Sequence, residues 1–71
     1  MLSSQVLDIV RLGGNVVITS ESGLLSPQVL DVVRIANGNN AHVTIYAKRF
    51  LSSQLNDFVR IGGKNVTIVV D

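Results

Sequence analysis

Residues 2–12 read LSSQVLDIVRL, and two close copies of this segment follow, LSPQVLDVVRI at residues 25–35 and LSSQLNDFVRI at residues 51–61. Each copy leads through a break containing Gly or Asn into a short run rich in β-branched residues. A match of this length does not occur three times by chance, and internal repeats indicate a chain built from equivalent structural units. We therefore predict a single domain, residues 1–71, made of three repeats, 2–24, 25–50 and 51–71.

The first half of each repeat predicts an amphipathic helix. In the first copy, Val6, Ile9 and Val10 recur at the spacing of one face of a 3.6-residue turn. Gly-Gly or Asn-Gly follows each copy, which is typical of a helix end. We expect a serine hydroxyl to cap the free amides at each helix start, and Pro27 to occupy a first helical position. The expected caps are Ser3, Ser26 and Ser52.

The second half of each repeat predicts a strand, in which side chains alternate between two faces. One face is purely aliphatic in all three repeats, so we expect it to pack under the helices. The other face mixes threonine, valine and tyrosine, and is neither clearly core nor clearly solvated. It comprises Val17, Thr19, Thr44, Tyr46, Thr67 and Val69.

The α-β-α-β-α-β order predicts an α/β fold of two layers. Helical crossovers join parallel strands and are right-handed, so the strands are expected in the order 1-2-3 with all helices on one face. The architecture is close in logic to that of leucine-rich repeats, but their consensus is absent and the sequence supports no family assignment. Parallel sheets are normally covered on both faces, and unpaired edge strands invite pairing with another chain. We therefore expect the mixed face to be an interface, covered most simply by a second copy.

Composition narrows the possible functions. A chain of 71 residues buries a small core, and the absence of cysteine excludes disulfides and thiolate metal sites. Self-association, into a dimer or a larger protein assembly, is therefore the favoured source of added stability. A single histidine, His42, cannot form a histidine cluster, and no nucleophile motif accompanies it. We expect no cofactor, no metal, no small-molecule substrate and no enzymatic activity.

Charge and hydropathy bear on the partner and the location. Charged residues make up 15% of the chain and leave a net charge of +1, a balance that disfavours binding through nucleic-acid phosphates. No apolar run approaches the length needed to span a bilayer, and the first residues do not form a secretory signal. These features favour a cytoplasmic location.

One alternative site lies at the carboxyl ends of the strands, where parallel sheets bind ligands and helix N-termini favour anions. Ser26, Ser52, Lys48 and Arg49 are the residues that would hold a phosphate or carboxylate there. No glycine-rich phosphate loop accompanies them, so a solvated turn is the favoured interpretation. The sequence thus predicts a structural or protein-interaction module, with an anion- or nucleic-acid-binding domain as the alternative.

Overall fold

The computed structural model describes all of residues 1–71 and contains three α-helices that alternate with three strands, with short 3-10 helices at Ala47–Arg49 and Gly63–Asn65. The helices are α1 (Ser3–Arg11), α2 (Ser26–Gly38) and α3 (Ser52–Gly62). The strands are β1 (Val16–Ile18), β2 (Val43–Tyr46) and β3 (Val66–Val69). We call α1 with β1 the first unit, α2 with β2 the middle unit and α3 with β3 the last unit.

The strands form one parallel sheet in the order β1-β2-β3, which confirms the predicted fold class. Val16 is in register with Val43, and Val43 with Val66. Because the register is in step across the sheet, equivalent residues of the three units lie side by side and point to the same face.

The core lies between the helices and one face of the sheet. Ile18, Val43 and Ile45 project from the strands and are buried under valines of α1 and α2. Phe58 contributes the largest fully buried side chain, and its ring meets that of Phe50 edge to face at a centroid distance of 5.2 Å. Burial of each such side chain stabilises the fold by about 1.5–3 kcal/mol. This layer joins the sheet to the helices and leaves the opposite face of the sheet uncovered.

The predicted serine caps are wrong. The N-cap residue of each helix is a leucine in extended conformation, so no N-cap side chain binds a free amide of the first turn. In the first helix, the side-chain oxygen of Gln5 accepts a hydrogen bond of 2.9 Å from the Leu2 amide, which is the glutamine half of a capping box. The glutamines of α2 and α3 do the same. Pro27 consequently occupies the second helical position, not the first.

The glycines near the helix ends play different roles. Gly38 remains helical, and α2 continues to it before Asn40 takes a positive φ of 56°. Gly62 is buried, and a Cβ at this position would collide with the side chains of Val66 and Val33. The absence of a Cβ at this point lets α3 approach both α2 and its own strand.

Candidate interaction surfaces

The face of the sheet opposite the helices carries the predicted interface residues. Val17 and Thr67 are exposed, Val17 to 60%, and Thr44, Tyr46 and Val69 are half-buried. Thr19 lies outside this group because β1 ends at Ile18. The remaining five residues, together with His42, form what we call the bare face.

A polar contact crosses the bare face that the sequence did not reveal. The His42 Nε2 atom lies 2.7 Å from the Thr67 hydroxyl, at hydrogen-bonding distance. His42 precedes β2 and Thr67 lies within β3, so the contact depends on the strand register. The polar groups on this face are therefore partly paired with each other.

Two asparagines link the strands where they begin. The Asn15 side-chain oxygen accepts a hydrogen bond of 2.8 Å from the His42 amide. The Asn65 side chain, which is buried, donates one of 2.9 Å to the Ala41 carbonyl. Both side-chain amides therefore bind the backbone of the neighbouring segment, just before the strands pair.

Both outer strands have an unpaired edge. The Val16 amide donates to the His42 carbonyl at 3.0 Å, so Val16 faces β2. Because backbone groups alternate in direction along a strand, the N–H and C=O of Val17 point away from the sheet. On β3, the same alternation directs the backbone groups of Val66 outward. These edges are open to pairing with another strand.

An apolar groove lies at the first unit, between α1 and the edge of β1. Its volume is about 260 Å³, and seven of its eight lining residues are hydrophobic. Ile9 is 36% exposed here. The lining residues are Met1, Val6, Ile9, Val16, Val17, Ile18, Ser22 and Leu24. The sequence predicted an open edge at β1, but not this groove.

The outer side of the last unit exposes both an apolar and a polar residue, whereas the groove at the first unit is almost entirely apolar. Val59 of α3 is 44% exposed on this side. Asn56 is exposed at the position where α1 and α2 carry the partly buried leucines Leu7 and Leu30. The two ends of the molecule thus differ in polarity.

A cavity of about 330 Å³ occupies the carboxyl-end edge of the sheet. Of the predicted anion-binding residues, Ser26 and Arg49 line it, whereas Lys48 and Ser52 do not. Thr19, Ser20 and Ser22 add three further hydroxyls. The Ser26 hydroxyl already accepts a hydrogen bond of 3.2 Å from the Gln54 side chain.

The solvent side of the helices carries three equivalent ion pairs. Arg11 pairs with Asp8 at 3.1 Å, and both side chains are more than half exposed. The corresponding pairs in α2 and α3 measure 3.5 Å and 2.9 Å. Exposed pairs of this kind contribute about 0.2–1 kcal/mol each.

Comparison with known protein families, curated proteins and solved structures finds no match for this chain. None of the three helices has the length and apolar character needed to cross a membrane. No group of three or more His, Asp or Glu side chains is placed to hold a metal ion.

Proposed function

We propose that this chain is a non-enzymatic repeat module that associates with copies of itself through its sheet. The observation that carries the proposal is the one-sided covering of a parallel sheet. Sheets of this type are normally buried on both faces, and here helices cover only one. A second copy stacked on the bare face would supply the missing layer.

The chemistry of the bare face suits a protein partner. Val17, Tyr46 and Val69 offer apolar surface at its two edges and its centre, and the hydroxyls of Thr44 and Thr67 lie between them. Tyrosine is enriched at interface centres, because it buries a large ring and keeps a polar tip. A two-fold arrangement of two such faces is self-complementary and closed.

Sedimentation and light scattering at increasing concentration test the proposal. We expect the wild-type chain to associate, and Tyr46→Lys to reduce its mass because two lysines would face each other across the two-fold contact. Circular dichroism should show unchanged helix content. Ser53→Lys, which adds the same charge at an exposed position of α3, serves as the matched control. A wild-type chain that remains monomeric at millimolar concentration contradicts the proposal.

The cavity at the carboxyl ends of the strands favours anion binding as a second candidate function. Arg49 supplies a positive charge, and the start of α2 supplies amides, although Pro27 lacks one. Inorganic phosphate titrated into 15N-labelled protein at low salt is expected to shift the Ser26 and Arg49 signals, and Arg49→Gln is expected to abolish the shift at Ser26. Lys48→Gln is the control, since Lys48 does not line the cavity. Equal shifts in both variants contradict this candidate.

A further inference from the structure

We propose that copies of the chain join end to end, with the last unit of one copy packed on the first unit of the next. The contact would repeat the packing that joins neighbouring units within the chain. This inference rests on the proposed self-association and adds a second surface to it. In this arrangement, the outer side of α3 from a second copy fills the groove at the first unit.

Matched positions in the three helices show what each end lacks. Val32 of α2 has no exposed surface, whereas Ile9, the equivalent residue of α1, is 36% exposed. Val33 of α2 also has no exposed surface, whereas Val59, its equivalent in α3, is 44% exposed. Thus α1 is exposed on the side where a preceding helix would pack, and α3 is exposed on the side where a following helix would pack. The side of the helix that is exposed in α1 is buried in α3, and the side that is exposed in α3 is buried in α1.

The groove has the chemistry of an unfilled helix contact. It is apolar and lies beside Ile9, where the internal arrangement would place a preceding helix. In the middle unit, Val32, the residue equivalent to Ile9, is completely buried in the core. In a second copy, Val59 lies on the side of α3 that would enter this space. Apolar surface is removed from water at both ends by the same contact.

The strand edges match in direction and in backbone pattern. β3 of one copy, placed beside β1 of the next as β1 lies beside β2, would run parallel to it. In the register that joins Val16, Val43 and Val66, the outward C=O of Val66 would accept from the N–H of Val17, and its outward N–H would donate to the C=O of Asn15. The sheet would pass from copy to copy without interruption, and the bare face would lengthen with it.

The area of the bare face gives a reason for such lengthening. Three strands spaced about 4.8 Å apart and about 13 Å long present a flat area of roughly 190 Å². A standard protein interface buries about 800 Å² on each partner. The strands of one copy supply only part of such an interface, and joining copies enlarges the face that is available for stacking.

Asn56 limits the strength of the end contact. At its position the internal contacts use Leu7 and Leu30, which are partly buried against the core. The substituted asparagine weakens the contact between copies, which makes it reversible and dependent on concentration. Because the two joined surfaces differ, the contact is heterologous and produces rings or open chains.

Complementation between blocked ends tests the proposal in a Tyr46→Lys background, which removes stacking through the bare face. Ile9→Lys blocks the first end and Val59→Lys blocks the last. Each variant alone is expected to be monomeric by analytical ultracentrifugation, and an equal mixture is expected to form a species of two chains, since each partner retains one intact end. A mixture that stays monomeric overturns the proposal. So does a Val59→Lys variant that still associates alone, because that result indicates contact between like ends.

A gain of association provides a second test that does not depend on disrupting the fold. Asn56→Leu restores the leucine of the other two units at an exposed position, and is expected to lower the concentration of half-maximal assembly about tenfold. Ser4→Lys and Ser53→Lys are controls, since both residues are exposed and lie away from the open sides. No change with Asn56→Leu contradicts the end contact.

The outcomes separate the two proposals. A mass that falls with Tyr46→Lys but does not respond to Ile9→Lys or Val59→Lys supports face stacking and overturns the end contact. A mass unchanged by Tyr46→Lys but lowered by either end variant overturns face stacking alone. A wild-type chain that is monomeric throughout contradicts both.

Discussion

The middle unit and the terminal units have nearly the same sequence but different burial. In α2, the side chains of Val29, Val32 and Val33 are completely buried, because a helix lies on each side. In α1 and α3, the outward members of the same set, Ile9 and Val59, remain exposed. Position in the array, more than residue type, decides how much each side chain stabilises the fold. In stacked repeats, stability depends on contacts between neighbouring units.

The largest test of this comparison is Phe58→Ala. Phe58 belongs to a terminal unit but, unlike its neighbour Val59, is completely buried. We expect the substitution to lower the free energy of unfolding by about 3–5 kcal/mol, because it removes a buried ring and leaves a cavity. Urea denaturation followed by circular dichroism measures the change. A loss below about 1 kcal/mol would show that the inward side of the last unit does not contribute as the comparison requires.

A matched pair of valines sharpens the comparison. Val33→Ala in α2 is expected to cost about 2 kcal/mol, since both methyl groups lost are buried. Val59→Ala, at the equivalent position of α3, is expected to cost less than about 1 kcal/mol, because the side chain is 44% exposed. Both are measured by guanidinium denaturation of dilute protein, where association does not contribute. Equal losses would contradict the dependence on neighbours.

The asparagines at the strand entries extend the comparison to hydrogen bonds. Asn65→Ala leaves the Ala41 carbonyl buried without its side-chain donor, and we expect a loss of about 1–2 kcal/mol. Asn15→Ala is expected to cost about 0.5 kcal/mol, because water can reach the exposed His42 amide. Thermal melting of the two variants measures the difference. A larger loss for Asn15→Ala would be inconsistent with the burial seen here.

The smallest expected effect concerns the ion pairs on the outer surface of the helices. All three are exposed to similar degrees, so they should not distinguish the middle unit from the ends. We expect Asp31→Asn and Asp8→Asn each to change the free energy of unfolding by about 0.2–0.5 kcal/mol, and 1 M salt to abolish the effect. A clearly greater effect at Asp31 than at Asp8 would show that the ion pair of the middle unit contributes more to stability, and would contradict the expected equality.

Much of the fold was predictable because the repeat shows each signal three times. The spacing of apolar residues changes from helical to alternating in each repeat, which located the helices and strands. The helical connections between the strands then predicted a parallel sheet in sequence order. The alternation also assigned Val17, Thr44 and Tyr46 to one face. Local competition explains the failed caps. Each serine follows a leucine that stands three residues before a glutamine, and the glutamine side chain binds the leucine amide. The glutamine spacing was the signal that would have placed the helix starts correctly.

The details of the surfaces were beyond the sequence for physical reasons. The contact between His42 and Thr67 depends on how two strands slide past each other, which a repeat alone does not determine. The groove at the first unit is lined by Met1, which precedes α1, and by Leu24, which follows β1. The repeat pattern gives no signal that these two residues lie at one groove. Similarly, Lys48 and Arg49 are adjacent in sequence, but only Arg49 lines the cavity.

The common direction of the strands has a consequence for protein engineering. Each connection that leaves a strand emerges at the same edge of the sheet, where variable segments can be displayed next to each other. Gly23, in the connection after β1, has nothing within 4 Å of the position a Cβ would take. A peptide grafted into this connection would be carried at that edge of the sheet, and the chain would act as a scaffold for it.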